Sequence, residues 1–241
     1  MPRDRIYRTR KTPLAPFTFD AAVADVFDDM VQRSVPMYAE IIRRQACMIR
    51  QAYRPQTRIY DLGCSTGNLI MALCDGFPTA GFSLVAVDSS RPMLDRLAGR
   101  LAKRPHQYDI SLVCEDLRQV EMRGASVVAV NFTLQFIPPA DRDRLIHRIY
   151  EALEPGGWLL LSEKTVHPDP AMADLQVDFY HRFKRENGYS ALEISQKREA
   201  LENVLVPETP DAHLDRLRCC GFSAVDVWLK WFNFCAWVCV K

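Results

Sequence analysis

Three acids at the ends of apolar runs, together with two glycines, are spaced as a ligand site requires. Arg58-Ile59-Tyr60-Asp61-Leu62-Gly63-Cys64-Ser65-Thr66-Gly67 reads as a short strand that ends in an acid and enters a glycine turn. The helix-compatible run Asn68-Leu69-Ile70-Met71-Ala72-Leu73-Cys74 follows directly. A strand, a tight glycine turn and a helix N-terminus gather backbone N–H groups at the carboxyl edge of a sheet, where a ligand approaches the main chain closely. The spacing discriminates between ligands. A dinucleotide site carries three glycines, as G-x-G-x-x-G, so that a helix dipole meets a pyrophosphate. Here only Gly63 and Gly67 are present, and Asp61 beside the turn would repel a diphosphate and suit a cation. The competing reading is a βα connection that binds nothing.

Two further strand ends repeat the pattern. Phe82-Ser83-Leu84-Val85-Ala86-Val87-Asp88, followed by Ser89-Ser90, places an acid roughly 20 residues beyond the turn, where a carboxylate accepts both ribose hydroxyls. Ile110-Ser111-Leu112-Val113-Cys114-Glu115-Asp116 again ends in acid, and Asp116-Leu117 suits an adenine amine and ring face. One such acid is as readily a helix cap; two in this order weigh more. The string D-x-G-x-x-x-G resembles motif I of the class I S-adenosylmethionine (SAM) methyltransferases, whose cofactor has an ammonium and a sulfonium and no phosphate.

The elements that must position these residues follow from apolar periodicity. At 241 residues and 48% hydrophobic content the chain fits one α/β domain with a full core. Lysine plus arginine (31) nearly balance aspartate plus glutamate (30), so no overall field draws it to nucleic acid or an anionic membrane. Residues 1–18, with the basic Pro2-Arg3-Asp4-Arg5-Ile6-Tyr7-Arg8-Thr9-Arg10-Lys11, lack the apolar region of a signal peptide and read as a flexible, solvated tail. No transmembrane run is present. Eight cysteines, Cys47, Cys64, Cys74, Cys114, Cys219, Cys220, Cys235 and Cys239, form no C-x-x-C pair and have no nearby histidine set for zinc. That usage fits small buried hydrophobes in a reducing cytosol, so a cytoplasmic protein without metal is expected.

Residues 19–241 are expected to form the single domain. Phe19 to Ile49 reads as helical, with Val23, Val26, Phe27, Met30 and Val31 on one face and a break at Pro36. This region, 19–52, is read as a lid over the pocket or an amphipathic cover of one sheet face. Val127-Val128-Ala129-Val130-Asn131-Phe132 and, after a helix Ala140 to Leu153 and the turn Pro155-Gly156-Gly157, Trp158-Leu159-Leu160-Leu161-Ser162-Glu163 supply the fourth and fifth strands. Their apolar continuity indicates a parallel sheet buried on both faces. Between 164 and 211 the rhythm breaks into a charged helical insertion, where substrate-specific parts usually reside. Helix Asp211 to Cys219 with Gly221 as its cap, strand Ala224 to Trp228 and strand Phe234 to Val240 complete an antiparallel hairpin. The predicted fold is therefore class I SAM-methyltransferase-like and Rossmann-like: a mostly parallel sheet with a C-terminal antiparallel hairpin, N-terminal helices and a helical insertion.

Longer strings are more specific than any glycine motif. Arg33-Ser34-Val35-Pro36 with Tyr38, Tyr60-Asp61-Leu62-Gly63-Cys64-Ser65, Asn131-Phe132-Thr133-Leu134-Gln135-Phe136, Phe183-Lys184-Arg185 with Asn187-Gly188-Tyr189-Ser190, and Leu192-Glu193-Ile194-Ser195-Gln196-Lys197-Arg198 resemble the bacterial carboxy-S-adenosyl-L-methionine (carboxy-SAM) synthases. The likeness runs from Phe19 to the C-terminus. The chain departs from the family pattern at Thr66 to Ile70, where small residues commonly follow the turn, and at Met37 in place of glycine.

The resemblance implies a reaction other than methyl transfer: SAM and prephenate give carboxy-SAM and phenylpyruvate, and the product serves modification of the tRNA wobble uridine. A methyl group beside S⁺ is acidified, and its ylide captures carbon dioxide if water is excluded. Carried across, the family's site places Tyr38 at the sulfonium, Gly63-Cys64-Ser65 on the methionine moiety, Asp88-Ser89 on the ribose, Asp116-Leu117 on the adenine and Asn131 beneath the cofactor. Arg198, whose planar guanidinium suits bidentate carboxylate binding, would clamp the new carboxylate. Tyr38 and Arg198 are thus the expected catalytic residues, with Arg185 and His181 as prephenate contacts. The alternatives are a conventional SAM methyltransferase acting on a small acid, or a non-catalytic carrier of carboxy-SAM. Phe179, Tyr180 and Phe183 in the insertion favour a self-complementary contact, hence a homodimer. Such an insertion folds over its own pocket or lies across a two-fold axis, and in a homodimer Arg198 is expected to serve the partner subunit's site.

Overall fold

The computed structural model describes residues 2–77, 81–104 and 108–241. At the centre lies β1 (Arg58–Leu62), with parallel β2 (Ser83–Asp88) on one side and parallel β4 (Ala125–Asn131) on the other. β3 (Asp109–Cys114) pairs with β2 and β5 (Leu153–Lys164) with β4, both parallel. β7 (Phe234–Val240) runs antiparallel to β5, and β6 (Ala224–Trp231) antiparallel to β7, giving the order β3-β2-β1-β4-β5-β7-β6. β6 extends three residues past the expected Trp228, because its ladder to β7 continues to Trp231 opposite Phe234.

Among the described residues eight α-helices connect these strands: α1 (Ala21–Ser34), α2 (Tyr38–Ala52), α3 (Asn68–Gly76), α4 (Arg91–Leu101), α5 (Pro139–Ala152), α6 (Pro170–Glu186), α7 (Ala191–Ala200) and α8 (Pro210–Cys220). Local chemistry sets their ends. The Asp20 side chain accepts from Val23 N at α1, Ser90 caps α4, and Ser190 with Glu193 forms a capping box at α7. Gly221, at φ +105, closes α8 in the left-handed region that favours glycine.

Both sheet faces are covered. Ile59, Val127, Ala129 and Leu160 pack with α2, α3 and α4, while Tyr60, Val128, Val130 and Leu161 pack with α5 and α8. β4 is buried from Ala125 to Val130, which is why its sequence is continuously apolar rather than alternating. Cys64, Cys74, Cys235 and Cys239 are buried among these hydrophobes, and all eight thiols are free.

The N-terminal segment differs from the expected solvated tail. Asp4, Tyr7 and Phe17 are buried, the last two in a cluster with Phe27 and Met30 of α1, Met93 of α4 and Ala200 of α7. Asp4 accepts from Tyr189 Oη at 2.6 Å, and Gln196 Nε2 donates to the carbonyls of Tyr7 and Thr9. The arginines read as solvation, but Tyr7 and Phe17 supply apolar area that only a packed strap buries. Residues 2–18 thus tie the insertion to α1.

Candidate active site

The strand order reverses between β1 and β4, and at that reversal, outside the carboxyl ends of the strands, open α/β sheets bind ligands. A cavity of about 1260 Å³ opens there, walled by α1, α2, α6 and α7. It is lined by Tyr38, Gly63, Cys64, Ser65, Asp88 and Ser89, and also by Asp116, Leu117, Asn131 and Arg198. His181 and Arg185 line it too. The fold thus brings together all the residues expected from sequence.

The glycine turn is sterically determined. Gly63 has φ +78, and a Cβ there would fall 2.2 Å from Thr133 Oγ1; Gly67 has φ +79, and its Cβ would fall 2.3 Å from Leu97 Cδ1. The N–H groups of Gly63 and Cys64 donate to Val87 O at 2.8 and 3.0 Å, and Ser65 N donates to Asp88 Oδ2 at 2.9 Å. The turn therefore does not offer these donors to a ligand, contrary to the sequence expectation, and it is no phosphate cradle. Asp88 Oδ1 accepts from Ser90 N at 2.8 Å, leaving each oxygen one lone pair for a hydroxyl donor. Asp61 is 3% exposed; burial, and then the nearby Asp88, raises its pKa to about 7.

α1 and α2, which wall the cavity, are hydrogen-bonded to this turn. Asp28 of α1 accepts from Thr66 Oγ1 at 2.6 Å and from Asn68 Nδ2 at 3.0 Å, and Asn68 Nδ2 also donates to Tyr38 Oη at 3.1 Å. Thr66 and Asn68 fall where the chain departs from the small residues of the family pattern. Their polar groups bind α1 and α2. Burial keeps the Tyr38 phenol protonated, well above the usual tyrosine range, so it is a donor and packing surface rather than a base. Met37, the other departure, sits at φ 59 and is 48% exposed.

The floor is built from the end of β4. Asn131 pairs with Gln45 of α2, and Phe132 follows at φ 55, a conformation that costs an aromatic residue of order 1–3 kcal/mol. Glu163, fully buried at the end of β5, holds it there. Its carboxylate accepts from the N–H groups of Thr133, Leu134 and Gln135 at 2.7–3.1 Å. Burial raises the Glu163 pKa to about 8 against the pull of those donors. At the adenine end the Asp116 carboxylate is already gripped by Arg118, which also binds Asp141. Leu117 is buried beside it and supplies an apolar surface.

The far end is cationic. Lys164 of β5, Lys184 of α6 and Lys197 and Arg198 of α7 line the cavity. Burial lowers the pKa of Lys184 to about 7 and those of Lys164 and Lys197 to about 8. Arg198 is exposed to the cavity and makes no ion pair among the described residues. Tyr180 is half-buried on the cavity wall, and Phe179 is exposed, stacked on Phe232. Sequence reasoning passed over Gln45, Glu163, Lys164 and Lys184. Lys164 carried the same signal as Asp88 and Asn131, a polar residue at the carboxyl end of an apolar strand.

This topology and cavity define a class I SAM-methyltransferase-like protein. Residues 59–157 match the family model of the methyltransferase domain, and the fold is similar to that of human N-acetylserotonin methyltransferase in complex with SAM (TM-score 0.60, 14% identity, 92% of this chain and 55% of that chain). The carboxy-SAM synthase of Desulforapulum autotrophicum is 53% identical over all of this chain and 98% of its own length. That of Haemophilus ducreyi is 44% identical over all of this chain and 99% of its own. The chain belongs to the carboxy-S-adenosyl-L-methionine synthase family. No helix of the described residues is long and apolar enough to cross a membrane.

Proposed function

We propose that this enzyme converts SAM and prephenate to carboxy-SAM and phenylpyruvate, acting in the cytoplasm as a homodimer and supplying the carboxymethyl donor for tRNA wobble-uridine modification. The observation that carries this reading is the pairing of opposite charge in one cavity. Acids Asp61 and Asp88 suit the ammonium and ribose of the cofactor, and Arg198 stands free for a carboxylate. A methyl-transfer reaction on a small acid, the second reading, leaves no new anion on the cofactor for Arg198 to neutralise. The exposed apolar stripe Met172, Leu175 and Phe179 on α6 supports a self-complementary contact.

The placement of these side chains around the cavity supports the following roles. Asp61 and the Gly63-Cys64-Ser65 turn would hold the methionine end, Asp88 and Ser89 the ribose, and Leu117 the adenine face. Tyr38, Asn131 and Phe132 would enclose the sulfonium and exclude water. In the donor the bond to the departing carboxyl breaks, its electron pair enters the ring, and hydroxide leaves as the ring becomes aromatic. The proton lost by the sulfonium methyl and that hydroxide balance as water. The resulting ylide carbon then bonds to carbon dioxide, and Arg198 holds the carboxylate so formed.

Purified protein given SAM and prephenate labelled with heavy carbon in the ring carboxyl should yield phenylpyruvate and labelled carboxy-SAM in equal amounts. Transfer of a methyl label to an acid acceptor, with prephenate untouched, would establish the methyltransferase reading instead. Formation of neither product would leave a carrier, which should bind carboxy-SAM without making it.

A further inference from the structure

The cationic end of the cavity holds more positive charge than one carboxylate needs. Lys164, Lys184, Lys197, Arg185 and Arg198 all line it, and among the described residues none of them takes part in an ion pair. Lys184 is 5% exposed, and its ammonium makes no hydrogen bond among these residues. Asp174, Glu199 and Glu202 border the cavity too, but they are exposed and lie beyond ion-pair distance of these cations.

Two of the cations share one aromatic ring. Lys164, from the end of β5, and Lys184, from α6, place their Nζ atoms 5.0 and 5.2 Å from the Tyr180 ring centroid. Tyr180 packs on Phe234 at 5.2 Å and donates to Ser34 O at 2.9 Å, which fixes the ring. The quadrupole offsets part of the desolvation of the two ammoniums, yet they repel each other across it. Buried Asp4 attracts Lys184 and Lys197 from beyond ion-pair distance, and among the described residues no carboxylate pairs directly with Lys164 or Lys184. Arg198 lies on a different element, within electrostatic reach of Lys164 and His181.

We infer that Lys164 and Lys184 form a second carboxylate subsite, separate from Arg198, for the carboxylate that a dicarboxylate donor keeps after the other has been transferred. This rests on the carboxyl-transfer reading and adds to it that the donor is bound at both ends, with Tyr180 and Phe234 against its apolar middle. The transferred carboxyl passes through neutral carbon dioxide, which no cation holds strongly. The retained carboxylate stays charged throughout, so the lysine pair keeps the donor remnant from carrying the site open.

The test uses Lys164→Met and Lys184→Met, which keep the length and apolar stem of the side chain and remove the charge. Each protein is loaded with S-adenosylhomocysteine, which has no methyl to react, and titrated with prephenate in a calorimeter. The expected result is a loss of prephenate affinity of tenfold or more in each variant, with S-adenosylhomocysteine affinity within twofold of wild type. Lys184→Met should also melt no lower than wild type, since the desolvation and the repulsion from Lys164 and Lys197 that are removed outweigh the attraction to Asp4. Unchanged prephenate affinity in both variants, equal loss of both ligands, or no prephenate binding by the wild type would overturn the subsite. A wild-type protein that binds prephenate through these lysines yet forms no carboxy-SAM would overturn the reaction and leave the subsite standing.

Discussion

Asn131 and Gln45 face each other amide to amide: Asn131 Nδ2 donates to Gln45 Oε1 at 2.7 Å, and Gln45 Nε2 donates back to Asn131 Oδ1 at 2.9 Å. Gln45 Nε2 also donates to Ser162 Oγ at 3.0 Å, so helix α2 is bonded to the ends of β4 and β5 at once. The Asn131 amide is thereby committed to the protein, and its share in the site is the surface that it presents. Gln45→Leu should leave both Asn131 and Ser162 unpaired and cost about 1–3 kcal/mol of stability. Denaturant unfolding reads that loss, and Asn131→Leu combined with Gln45→Leu should recover part of it. Additive losses in the double variant would contradict a shared pair.

Arg198→Ala should weaken carboxy-SAM binding by about 1.5–3 kcal/mol, tenfold or more, while SAM affinity changes less than twofold. Asp88→Ala should weaken both ligands, because it removes the ribose acceptor and also frees the N–H groups of Ser65 and Ser90. In this structure Arg198 lines its own chain's cavity, which favours action within one chain. Mixing the two inactive variants then restores no activity; restoration in verified mixed dimers would place Arg198 across the subunit boundary.

Cofactor binding should release protons near neutral pH. Asp61 is half protonated at about pH 7 because burial and Asp88 oppose its charge, and a bound ammonium would favour the carboxylate. SAM affinity should therefore rise as pH rises from about 6 to 8. The linked effect on the empty protein has the opposite sign. The folded state keeps a proton that the unfolded chain has lost above its ordinary carboxylate range, so the Asp61 contribution to stability falls as pH rises from about 4 to 7. Calorimetry in two buffers of different ionisation enthalpy measures the released proton, and Asp61→Asn should abolish it. The same release in that variant would assign the proton to another group.

Met37→Gly should stabilise the protein. Met37 occupies the left-handed region at the start of α2 and is half exposed, so glycine relieves about 1 kcal/mol of backbone strain and gives up little burial. For a chain of this size that is a rise in Tm of roughly 2–4 °C. A fall in Tm would mean that the Met37 side chain holds the lid by contacts that outweigh the strain.

The strands were legible because a parallel sheet buried on both faces writes continuous apolar runs, and the turn because only glycine fits beside Thr133 and Leu97. Asp88 and Asp116 were legible by their place at strand ends. What sequence could not supply was the use to which each polar atom is put. Asp116 is gripped by Arg118 two residues away, and the turn's N–H groups are spent on β2; both depend on side-chain geometry rather than spacing. Lys184 reads as one more charge on a polar helix. Its burial is set by the strap at residues 2–18 and by the packing of α6 on α1, contacts more than 140 positions apart in the chain. The strap itself was misread because five basic residues outweigh two aromatic ones in any local count.

The strap also fixes when the cavity is formed. Asp4 meets Tyr189 across 185 residues of chain, and Tyr7 meets Gln196 across 189. During synthesis at roughly 5–20 residues per second, the first segment to leave the ribosome waits on the order of ten seconds or more for the helix against which it docks. Until then Tyr7 and Phe17 have only α1 and α4 to pack against, and contacts of such separation are slow to close even in the finished chain. The sheet completes its parallel half well before this. The cavity is thus among the last parts of the molecule to take shape, and a nascent chain shorter than about residue 200 has a sheet edge, a glycine turn and the α1 contacts of Asp4, but not the α7 contacts that close over residues 7–17.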